Sequence, residues 1–390
     1  MNFKRTLTLL ALSSPLIAPA QNHCLGINFT GEVYKVNIST GAGTLVGSSG
    51  LTGTNCMARA NDEWYTVDIT GKLFRIDENS GAPTLVYQLS LGGNTDVRGM
   101  CYDVNLGNFV VVNNTAGDQL WKVNASDGVG SLIGNMGSTT IQGLAVGFNG
   151  KLYAYDIAST NSGGLREVNP NTGATIDINP NAPGQSGMQD ICPDGARLLG
   201  GRDSLFRVQT FNGAEELVGT GGYSDLRGMA RRQNTLEANA LNVRLGRLDA
   251  GGLDTIIRRD GANAVISKFF VPNQQVDPIQ VEMTFDASVS ASTIRDIGIY
   301  WVGKMNTSGS FSLNIDIFNR TTNSYVTLAT GPVTIAESEL SGSLPGDLTP
   351  YFDAETRATV RFRIKANGPV ANPSWGVLVD MFRMELIADF

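Results

Sequence analysis

A single histidine, His23, stands in this chain of 390 residues. A Ser-His-Asp triad and a Cys-His nucleophile pair both need an imidazole within the folded body, and His23 precedes all of the patterned sequence. The usual His-bearing zinc sites and a His-ligated haem are excluded on the same ground. What remains is a set of polar residues in a repeated setting. Five short segments carry a bulky apolar residue after a small one: Cys56-Met57, Gly99-Met100, Gly143-Leu144, Gly187-Met188 and Gly228-Met229. The residues just before them are Asn55, Arg98, Gln142, Ser186 and Arg227, and Asp96 and Asp225 stand two places before the arginines in matching Asp-x-Arg-Gly-Met segments. Two arginines and neighbouring amides can hold a carboxylate or a sugar. The same Asp–Arg couples can equally be ion pairs between neighbouring repeats that neutralise one another. No metal or cofactor is expected with this set.

Other chemistry is thinner. Glycoside hydrolysis needs two carboxyl groups held roughly 5–9 Å apart, one with a raised pKa. Asp96, Asp103, Asp190 and Asp225 are available, but no repeat carries an acidic insertion. A divalent-metal hydrolase of the lactonase type needs Glu, Asn and Asp converging on an axis, for which only Asn55 and the aspartates are on hand. Four cysteines, Cys24, Cys56, Cys101 and Cys192, are either disulfide partners or buried thiols. Cys56 and Cys101 sit in adjacent repeats, close to the register a bridge would need.

The elements that position these residues recur with a period of roughly 40–47 residues, the range of propeller repeats. Lys72 to Asp77 alternates in character, Ser80-Gly81 follows as a turn, and Thr84-Leu85-Val86 returns as a second strand. Counterparts start at Glu32, Gln119, Gly164 and Ser204. With the segment carrying each small–bulky pair and the strand after it, one unit holds four strands, the content of a propeller blade. The first copy, from Cys24, lacks its innermost strand, and a spare one lies at Leu226–Ala230. Pairing the two would seal a five-bladed ring without a free edge.

Over about residues 24–232 the chain resembles secreted bacterial β-propellers with a Leu-Tyr-x-Val-Asp-x-x-Thr-Gly repeat, a group that includes binding modules, scaffolds and lyases. After Arg231-Arg232-Gln233-Asn234 the repeat stops, but strands with period-two alternation continue, as in Val281, Met283 and Phe285 or Val360, Phe362 and Ile364. Seven or eight such strands predict a jelly-roll-like β-sandwich. Asn319-Arg320-Thr321-Thr322, Val360 to Pro369 and Trp375-Gly376-Val377 also resemble a C-terminal module of uncharacterised secreted bacterial proteins.

The fold expected is therefore all-β: a signal peptide at 1–20, a five-bladed β-propeller at 21–235 and a β-sandwich at 236–390. Lys4 and Arg5, an apolar run from Thr6 to Ile17 and Ala18-Pro19-Ala20 supply the leader pattern. They predict a secreted or extracellular protein, with the periplasm as the other destination, and no membrane insertion after cleavage. A net charge of −7 argues against a nucleic-acid partner. The leading expectation is a non-catalytic binding or surface-interaction protein, with the propeller as platform and the sandwich as an adhesion or carbohydrate-binding-like module. Its partner would be an extracellular carbohydrate or another surface protein. A glycosidase-like enzyme with axial carboxylates and a structural matrix protein are the alternatives.

Overall fold

The computed structural model describes residues 23–390 except 61–62, 94, 104–106, 116, 159–162, 180–186, 196, 232–233, 237, 257–261, 269–276, 288–289, 369, 371–373 and 389–390. The leader segment 1–20 lies outside the described residues. The protein is all-β. Among the described residues helical turns are limited to three short 3₁₀ segments. Among the described residues no helix is long and apolar enough to cross a membrane.

Residues 23–231 form five antiparallel sheets of four strands each. Four are continuous in sequence, opening with Met57–Ala60, Val97–Asp103, Ile141–Val146 and Asp190–Asp194. The fifth is composite. Leu226–Arg231 pairs with His23–Asn28, with Cys24 opposite Arg231 and Gly26 opposite Met229, and Glu32–Asn37 and Gly43–Ser48 complete it. The pairing of Leu226–Ala230 with the strand from Cys24, expected from the incomplete first repeat, is thus present. The opening strands of the five sheets lie beside one another in cyclic order, each touching the next.

The contact between sheets explains the glycine that ends each Leu-Val-Gly or Leu-Ile-Gly run. A Cβ on Gly47 would meet Ser80 O at 2.2 Å, one on Gly134 would meet Thr172 O at 2.0 Å, and one on Gly219 would meet Thr40 O at 2.0 Å. These three outer strands are therefore pressed against the Thr-Gly or Ser-Gly turn of the next sheet, and the last sheet against the first. Only a residue without a Cβ admits that approach. Between the sheets lie separate apolar clusters. Leu25, Ile27, Met57 and Trp64 form one, and Cys101, Val112, Leu144 and Ala154 another.

Residues 234–388 build two larger sheets of six and five strands around one apolar core that includes Trp301, Phe362, Phe382 and Phe285. This is more strands than the seven or eight expected, because Asn234–Leu236, Arg247–Ala250 and Ala264–Ser267 are short and carry little alternation. A buried ion cluster braces the five-stranded sheet. Asp316, 1% exposed, accepts from Arg361 Nη2 at 2.9 Å and Arg363 Nε at 2.6 Å. Burial opposes its charge, but the arginines and Thr327 win and hold its carboxyl below the usual range. The two halves of the chain meet through Phe148, Tyr300, Val302 and Met381.

Candidate functional site

The inner strands bend where the polar residues sit. The pairing register slips between Val97 and Gly99, between Ile141 and Gly143, and opposite Leu226 and Gly228. Arg98, Gln142 and Arg227 are thus the extra residues of three β-bulges. A bulge leaves one residue out of the ladder and re-aims its side chain, and such features concentrate beside functional sites. Arg227 reaches across to the neighbouring sheet, donating from Nη1 to Asn55 Oδ1 at 3.3 Å, and its guanidinium covers the Phe29 ring at 4.7 Å. Asn55 and Arg227 are thus in direct contact, and Arg98 and Gln142 hold the same bulged register on their own strands.

The fourth repeat departs from the expectation. Ser186 lies outside the described residues, and the segment Gly187-Met188 does not occupy the position of the other small–bulky pairs. A Cβ on Gly99 would point at the backbone of Gly143 and Leu144, one on Gly143 at Asp190 and Ile191, and one on Gly228 at Cys56. The equivalent pair is Asp190-Ile191, and the ring residue before it is Gln189. The Met100-Cys101-Tyr102-Asp103 run aligns with Ile191-Cys192-Pro193-Asp194 on this register, a match in the sequence that the nearby Gly-Met obscures.

The aspartates also differ from the structural alternative. Asp96 and Arg98 pair at 2.9 Å, and Asp225 and Arg227 at 3.0 Å, each within one inner segment rather than between sheets. Their side chains are about a third exposed, so each couple is wet and locally neutral. Asp225 adopts φ 49°. Its N–H donates to Asp203 Oδ1 at 2.9 Å and its carbonyl accepts from Phe29 N–H at 3.3 Å, which fixes the carboxylate beside Arg227.

The two glutamines behave otherwise. Gln142 is 2% exposed and Gln189 5%, and neither Oε1 has a hydrogen-bond partner. A buried amide oxygen without a donor costs roughly 1–3 kcal/mol.

Asp190 opens the inner strand of the fourth sheet and faces the inner strands of three other sheets. It is fully buried, and its carboxylate accepts the backbone N–H of Met229 at 2.7 Å and of Ile191 at 2.9 Å. The N–H groups of Met57 and Leu144 complete the set. Four of the five inner strands thus turn the same N–H toward one carboxyl group. Burial nevertheless raises that carboxyl well above the ordinary range.

A cavity of about 250 Å³ is lined by the inner strands, Met57, Leu144, Ile191 and Met229 among them, and reached by Arg383 from the C-terminal half. Arg383 donates from Nη2 to Gly147 O at 3.2 Å and lies over Phe148 at 5.5 Å. Neighbouring Glu385, 2% exposed, has its carboxyl pushed up to about 7 by burial, against the pull of Arg383 and Arg231. Neither residue carries a motif that sequence reasoning could have found. All four cysteines are buried free thiols, and Cys56 and Cys101 lie in different apolar clusters.

No protein-family model matches the chain, and no curated protein does. Among solved structures it is similar to a chain of a nidogen/laminin complex, at 14% identity and TM-score 0.35, covering 53% of this chain and 82% of that one. An exo-β-1,3-galactanase from Phanerochaete chrysosporium, with β-1,3-galactotriose, matches at 11% identity and TM-score 0.33, covering 91% and 89%. A xylan-binding domain from Paenibacillus barcinonensis matches at 10% and 0.24, covering 40% and 86%. At these scores none of them bears on ligand or reaction.

Proposed function

We propose that the protein is an exported, non-catalytic binding protein. In this reading residues 21–235 are a five-bladed β-propeller whose axial mouth takes an uncharged, hydroxyl-rich ligand such as an extracellular carbohydrate. Residues 236–390 are a jelly-roll-like β-sandwich serving as an adhesion module. The cyclic contact of the inner strands and the composite sheet support the propeller. The leader pattern at 1–20 supports export.

One observation carries the ligand: the buried, unpartnered oxygens of Gln142 and Gln189, which stand just before the small–bulky pairs of their strands in the register that Asn55, Arg98 and Arg227 share. Amide oxygens call for O–H or N–H donors. The arginines are already neutralised by Asp96 and Asp225, so the mouth offers an anion little net charge. A ligand of many hydroxyl groups satisfies both glutamines without desolvating an ion. Asp190 is fully buried and turned toward the backbone N–H groups of the inner strands, which keeps it from a substrate in the mouth. The test is an array of neutral and acidic glycans probed with the full-length protein. Binding to neutral glycans that disappears in the Gln142→Leu/Gln189→Leu variant supports the reading. Binding confined to acidic glycans, or none, overturns it.

A further inference from the structure

The cysteines expected to pair, Cys56 and Cys101, are apart, but another pair is not. Cys24, on the strand His23–Asn28, and Cys192, on the strand Asp190–Asp194, come from sheets that meet where the ring closes. Both side chains belong to one apolar cluster that includes Tyr34, Leu199, Tyr223 and Met229, and Cys24 is near enough to disfavour the Cys192 thiolate. Cys24 Sγ also faces Val36 O at 3.8 Å. The two residues are 0% and 2% exposed.

We propose that Cys24 and Cys192 form a disulfide in an oxidising medium, and that this bond locks the ring where its N-terminal strand is inserted. The oxidant is a disulfide of the glutathione class. One cysteine thiolate attacks a sulfur of glutathione disulfide and releases one glutathione thiol. The second thiolate then displaces the remaining glutathione from the mixed disulfide. Two protein protons and two electrons leave, and one protein disulfide and two glutathione thiols result. Both thiols are sealed from solvent in the finished fold, and contact with Cys24 and burial disfavour the Cys192 thiolate. Exchange therefore belongs to the moment when His23–Asn28 docks, before the cluster closes. The bond closes a loop spanning nearly the whole ring, the case in which a cross-link restricts the unfolded chain most. Cys56 and Cys101 each sit in apolar surroundings of their own and remain thiols.

The inference stands apart from the ligand reading and from the natural destination of the chain, because the test imposes the compartment. The full chain is produced in the oxidising periplasm of a bacterial host behind that host's own leader. It is then unfolded in guanidinium with N-ethylmaleimide and no reductant, and weighed intact. Two maleimides are expected, on Cys56 and Cys101, with a peptide cross-link joining Cys24 to Cys192. Reduction should lower the melting temperature by on the order of 10 °C. The Cys56→Ser/Cys101→Ser variant should take no maleimide and keep the cross-link. Four maleimides on the wild-type chain, or a bridge between any other pair, overturns the proposal.

Discussion

Replacing Asp190 by Ala removes a group that faces four backbone donors at once. The N–H groups of Met57, Leu144, Ile191 and Met229 converge on its carboxylate from four different strands. A buried donor left unsatisfied costs roughly 1–3 kcal/mol, so four would cost several times that if nothing replaced the acceptor. Water offsets part of it, since Met57, Leu144, Ile191 and Met229 all line the cavity of about 250 Å³ and one water can serve two to four polar groups. Relief of the buried carboxylate's desolvation offsets another part. The net expectation for Asp190→Ala is a loss of about 3–5 kcal/mol. Formate or chloride should recover part of it, because the donors still define an anion cradle. Guanidinium unfolding of wild type and variant, with and without formate, measures both. A variant within about 0.5 kcal/mol of wild type would refute the claim that Asp190 ties the inner strands together.

Three further outcomes follow from the same geometry. Arg98→Ala and Arg227→Ala should each cost less than about 1 kcal/mol in thermal or chemical unfolding, because their aspartate partners stay wet enough to be solvated. Gly134→Val should destabilise by about 2–3 kcal/mol, since its Cβ alone would press on Thr172 O at 2.0 Å; a stable variant would show that the sheets are not tightly stacked at the rim. Glu385 binds its proton more tightly folded than unfolded, its carboxyl being raised to about 7, so this residue's contribution to stability is greatest in acid and declines as pH rises from about 4.5 to 7. Glu385→Gln should remove that decline, worth about 3 kcal/mol in total, as seen in unfolding midpoints across the range.

The repeat was legible because its physics is local: alternation along each strand, a Gly that can take positive φ at each turn, and a bulky apolar residue facing the neighbouring sheet. The missing first strand made the pairing of Leu226–Arg231 with His23–Asn28 readable across nearly the whole ring. The fourth repeat misled because Asp190 stands where the others carry Gly or Cys, and Gly187-Met188 offers a decoy three residues earlier. The substitution is tolerated because the carboxylate turns into the axis and collects N–H groups, a long-range arrangement that no window of sequence contains. The same reasoning selected Ser186 over Gln189, and so missed the second buried glutamine. Placing the Asp–Arg couples between sheets failed for a simpler reason. Residues two apart on a bulged strand reach one another, which strict alternation also allows and which costs less ordering than a bond across sheets.

The central claim is that Gln142 and Gln189 are kept for a ligand. Calorimetric titration of the full-length protein and of Gln142→Leu/Gln189→Leu with a neutral glycan selected from the array, run beside thermal melts of both, tests it most directly. Affinity should weaken by roughly 5- to 160-fold, the loss of two hydrogen bonds of about 0.5–1.5 kcal/mol each. The melting temperature should be equal to or above that of wild type, because two buried oxygens without partners have been removed. A variant that binds the glycan as tightly as wild type, or one that loses binding only because it melts, would contradict it.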